Sequence, residues 1–83
     1  MNVLDSEQIQ FLDSAEQITR SLKTINRVSL SVISDLRAGR PVGFAALALI
    51  IPSPAELTEN GWDREEINAL NQDAREFRAS LNS

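Results

Sequence analysis

Phe11, Ala15, Ile18, Leu22, Ile25, Ser29, Val32 and Leu36 follow one another in alternating steps of four and three, and only Ser29 in the series is polar. A 4-3 repeat places its members on one stripe of a helix. It predicts a long N-terminal helix from about Ser6 to Ala38. Asp5 and Gln8 have capping-box spacing at its start, with Leu4 and Ile9 in the flanking staple positions. Ala38-Gly39-Arg40-Pro41 supplies the stop, because glycine takes the left-handed position after a helix and proline cannot continue one. Uninterrupted, that helix would be about 50 Å long at 1.5 Å per residue.

The segment Arg27 to Ser34 complicates this reading. Arg-Val-Ser-Leu-Ser-Val-Ile-Ser alternates apolar and polar, and its residues are poor helix formers. Strand chemistry there would give an α+β alternative, with a hairpin over about 27–51. The heptad phase runs through the segment unbroken, which favours helix. A break, if present, falls near Asn26-Arg27.

Val42 to Ile51 is the most apolar stretch. A segment apolar on every side is expected to be buried, and its alanines and leucines predict a short central helix. Ser53, Pro54 and Glu56 then fit the N-cap, N1 and N3 of a helix that Asn60-Gly61 must end by about Glu59. Asp63 and Glu66 repeat the capping box, with Trp62 and Ile67 as staple. Ile67, Leu70, Ala74, Phe77 and Leu81 again step 3-4, which predicts a helix from about Arg64 to Ser80 or Leu81, with a few frayed C-terminal residues. The expected fold is a single all-α domain over 1–83: a long N-terminal helix, a buried central apolar helix, a short capped helix and a C-terminal amphipathic helix folded back.

Composition narrows the chemistry. There is no Cys, His or Tyr, so thiol catalysis, Ser-His triads and Cys/His metal sites are excluded. No carboxylate pair lies in an apolar run that would raise its pKa. No phosphate-binding loop spacing surrounds Gly39 and Gly43. The expectation is a protein that is not an enzyme and needs no cofactor or metal. The start of the chain lacks a secretory pattern, and its longest apolar run, Phe44 to Ile51, is too short to span a bilayer. The chain therefore reads as soluble and cytoplasmic.

Charge is unevenly placed. Residues 1–52 hold five acids and five bases, whereas 53–83 hold seven acids and three bases, so the whole net charge of −4 lies in the last third. Nucleic acid is a disfavoured partner for that third. Its short helix–turn–helix outline opens on Asp63-Arg64-Glu65-Glu66, where a DNA reader needs basic or amide side chains.

The reading that follows is a non-catalytic interaction, assembly or regulatory subunit, of the size common among bacterial and phage accessory proteins. An 83-residue domain is marginal alone, so a homodimer is expected. Its interface would use the heptad helix and central segment: Phe11, Ile18, Leu22, Ile25, Val32, Leu36, Phe44 and Leu47. The acidic front and basic middle of the first helix favour an antiparallel arrangement. One alternative is an acidic inhibitor or antitoxin-like regulator that docks its last helix on a basic partner through Trp62, Glu65, Glu66, Asp73 and Glu76. Another is a DNA-binding regulator that uses the basic face formed by Arg20, Lys23 and Arg27.

Overall fold

A computed structural model describes residues 4–81, which form five helices and no strand. They are α1 (Ser6–Arg20), α2 (Arg27–Arg37), α3 (Phe44–Leu47), α4 (Pro54–Glu59) and α5 (Arg64–Leu81). The fold is all-α, as the periodicity predicts, and the hairpin alternative over 27–51 is not what forms. The expected fraying of the last residues, and the first three residues of the start, lie outside the described residues.

The long N-terminal helix is divided. α1 ends at Arg20, the chain turns through residues 21–26, and α2 begins on an Asn26 N-cap. The longest dimension of the molecule is 38 Å, too short for an unbroken helix of about 50 Å. The break is held from both sides. The Asn26 side-chain oxygen accepts from the Ser29 N–H at 3.1 Å, which starts α2. Its amide donates to both Glu56 carboxylate oxygens at 3.2 Å. The Lys23 N–H, which the turn takes out of any helix, donates to Asn60 Oδ1 at 2.8 Å. One backbone donor exposed by the turn, Lys23 N–H, thus finds its partner in the Asn60 side chain at the end of α4, which lowers the cost of the interrupted helix.

Breaking the helix lets α1 and α2 pack on each other, and α5 packs on both α1 and α4. The buried stripe of α1 is Leu12, Ala15, Thr19 and then Leu22 beyond its end. It keeps Ala15 and Leu22 of the predicted seam and puts Leu12 and Thr19 in place of Phe11 and Ile18. Phe11 and Ile18 lie at its flank, packed against the core from the side. Thr19 is wholly buried, and its hydroxyl donates to the Ala15 carbonyl at 2.8 Å, so it costs no unsatisfied group. On α2 the strand-like alternation gives way to a helical stripe of Ser29, Val32 and Ile33. Ser29 is also wholly buried, and its hydroxyl donates to the Leu49 carbonyl at 2.7 Å.

The central segment also differs from expectation. It forms one helical turn, and no residue of α3 is buried. Only Ile50, Ile51 and Pro52 enter the core. Phe44 is 85% exposed and Leu49 51%. Gly43 offers no capping side chain, Pro52 and Pro54 forbid extension, and the interior between α1, α2 and α5 is already occupied. High hydropathy was a poor guide here because it gave the segment no polar side to set its orientation.

The caps match the sequence closely. Capping boxes form at Asp5/Gln8 and Ser53/Glu56, and Asp63 and Glu66 exchange the same pair of bonds. α2 closes on Gly39 at φ +74°, with Gly39 N–H to Leu36 O and Arg40 N–H to Asp35 O, the paired bonds of a Schellman end.

Arg37 joins α2 to α1. Its guanidinium donates to Asp13 at 2.5 Å and also to Glu16, which accepts from Arg20 as well. The Arg37 hydrogen bond, then the Arg20 one, holds the Glu16 carboxyl below its ordinary pKa.

Two outcomes follow. Asn26→Ala removes the α2 cap and the tie to Glu56, and should lower unfolding free energy by about 1–2 kcal/mol in urea melts. A depressed carboxyl stabilises the fold above its unfolded pKa and loses that contribution as pH falls through the folded one. The stability difference between wild type and Glu16→Gln should therefore shrink as pH drops below about 4.3, and thermal melts across that range should show it.

Candidate protein-binding groove

α1 and α5 run antiparallel. The Gln8 side-chain amide donates to Ser80 Oγ at 2.9 Å, and the Phe11 and Phe77 rings stack with centroids 4.8 Å apart. At the other end Ile18 and Trp62 line the same groove. The helices do not close completely along this line, and an open groove of about 530 Å³ remains between them. That is within the size range of sites that take a few large side chains.

Its floor is apolar: Phe11, Ile18, Trp62, Leu70 and Phe77. Its rim carries Asp5, Glu7, Glu66, Asp73 and Glu76, and among the described residues the lining includes no Lys or Arg. None of these five carboxylates enters an ion pair among the described residues. Arg20, Arg37 and Arg40 pair with Asp13, Glu16 and Asp35, none of which lines the groove. The groove therefore combines apolar area with uncompensated negative charge, a pairing that suits a cationic amphipathic surface.

Trp62 is placed by the end of α4. Gly61 adopts φ +89°, and Gly61 N–H to Thr58 O and Trp62 N–H to Leu57 O form a second Schellman end. This turns the indole, half-buried, toward the start of α5 and the groove.

Four of the five residues assigned from sequence to partner binding meet here: Trp62, Glu66, Asp73 and Glu76. Glu65 does not line the groove; it is an exposed residue in the first turn of α5. The residues assigned to a dimer interface are dispersed. Leu22 and Val32 are buried in the chain's own core, and Phe11, Ile18 and Leu36 are partly buried against it. Ile25 and Phe44 are exposed, and Leu47 is half-buried. The proposed basic face is split by the turn. Arg20 ends α1 paired with Glu16, Lys23 lies in the turn with Nζ on the Glu59 carbonyl, and Arg27 begins α2.

Of the α1 side of the groove, sequence reasoning assigned Phe11 and Ile18 to a dimer interface and Gln8 only to a cap, and gave Gln10 and Ser14 no role. No local signal shows that an α1 face will meet α5 some sixty residues later. Among the described residues no helix is long and apolar enough to cross a membrane. Comparison with protein-family models, curated proteins and solved structures finds no match for the chain.

Gly61→Ala should cost about 1 kcal/mol. A Cβ there meets no atom within 4 Å, so the loss is backbone strain alone. The expected result is a lower unfolding midpoint accompanied by a shift in Trp62 emission, the sequence holding one tryptophan.

Proposed function

We propose that this protein is a non-catalytic interaction module whose α1/α5 groove receives a basic, amphipathic segment of another chain. The observation that carries the reading is the groove itself, with an apolar floor, five rim carboxylates and no lining base. Apolar side chains from the partner would supply the affinity, and its Lys or Arg side chains would set orientation and speed encounter. The reading keeps the acidic-regulator alternative drawn from the sequence and assigns half of the docking surface to α1. Of the heptad stripe, Phe11 and Ile18 line the groove, while Ala15, Leu22, Ser29 and Val32 are buried in the core behind it.

The reading predicts a measurable salt-dependent affinity. An amphipathic peptide of leucine and lysine should shift Trp62 emission on titration, and an acidic counterpart of the same hydrophobicity should not. Asp73→Asn with Glu76→Gln should weaken binding by about three- to tenfold, the range expected of two rim charges. Equal binding of the acidic peptide, or no change at Trp62 with either, would discard the groove as a docking site.

A further inference from the structure

We infer that a second copy of this chain fills the groove, by inserting the exposed arm around Phe44; the inference rests on the groove being a docking site. Among the described residues Phe44 is the most exposed of the large hydrophobic side chains, at 85%. It stands in an exposed segment: residues 37–41 and 43–45 are all exposed, with Val42 between them packed against the core. Leaving a phenylalanine in water forgoes roughly the 1.5–3 kcal/mol that burial of such a side chain provides.

The arm has the chemistry that the groove lacks. No acid occurs between Asp35 and Glu56; Arg37 is engaged with Asp13 and Glu16, which leaves Arg40, just before Phe44, as the cation the arm can present. Arg40 is held to Asp35 at 2.8 Å, but both side chains are substantially exposed, so the pair is weak and exchangeable. An arginine four residues ahead of an exposed phenylalanine matches a rim carboxylate above an apolar floor. Within one chain the two halves are separate, since no groove-lining residue comes from 36–55. The match can therefore be satisfied between copies. Two reciprocal arm-to-groove contacts related by a two-fold axis would close a dimer.

This pairing predicts a specific complementation. Wild-type protein at tens of micromolar should sediment as a dimer. Phe44→Asp, which removes the arm, and Asp73→Arg with Glu76→Arg, which spoils the groove, should each sediment as monomers. Both changes are at exposed positions, so circular dichroism and melting should confirm that the folds persist. Mixing the two variants should restore association, because one supplies an intact arm and the other an intact groove, with a dissociation constant at least tenfold weaker than wild type. A monomeric wild type, a dimeric Phe44→Asp protein, a groove variant that still self-associates, or a mixture that stays monomeric would each overturn the inference. The groove reading is tested separately on the Phe44→Asp protein. If it binds the leucine–lysine peptide while the complementation fails, the groove stands and the second copy is not its occupant. If it binds no peptide, the groove reading fails.

Discussion

The Glu56 carboxylate and the Asn26 amide that donates to it govern the rest of this structure. Glu56 completes its own helix's capping box while it receives Asn26. Asn26 in turn starts α2. One carboxylate thus fixes the beginning of α4, the end of the 21–26 turn and the angle at which α2 returns along α1. Without it, the break after Arg20 would rest on the Lys23–Asn60 bond and the Asn26 cap alone. A straight helix would present the stripe to solvent or to another chain, and α5 would have no paired surface on which to lie.

How much of this was legible depended on the range of the interaction. The capping boxes at Asp5, Ser53 and Asp63 act over three residues, and each was readable from spacing alone. So were the bounds of α4 and α5, which Pro54, Gly61 and the 3-4 periodicity fix locally. The break after Arg20 was only half legible. Asn26 looked like a possible boundary, but its partner is thirty residues away. The fate of Val42–Ile51 was not legible. Whether an apolar segment is buried depends on whether the rest of the fold leaves room for it, and here only Ile50 and Ile51 of the segment are buried.

The candidate site shows the same division. The acids of α5 and Trp62 could be chosen from one amphipathic helix and one cap. The groove they line could not, because half of it is α1. Thr19 and Ser29 make the opposite point. Both are polar in sequence and wholly buried in the fold, since a single carbonyl satisfies each hydroxyl. The stripe read from spacing correctly included Ser29, Ala15, Leu22 and Val32, but took Phe11 and Ile18 where Leu12 and Thr19 are buried.

The bond between Gln8 and Ser80 spans seventy-two positions of an 83-residue chain. The α1–α2 pairing closes a short loop, whereas the α1–α5 pairing must bring almost opposite ends of the polymer together. Loop-closure entropy makes that the costlier of the two pairings to form. The groove exists only when this closure is made. Docking competence is consequently a more demanding state than helicity. Partial opening at the chain ends would erase the binding surface while most of the helical signal and the α1–α2 core survived. An occupant bridging both walls would act as a tether across that long loop.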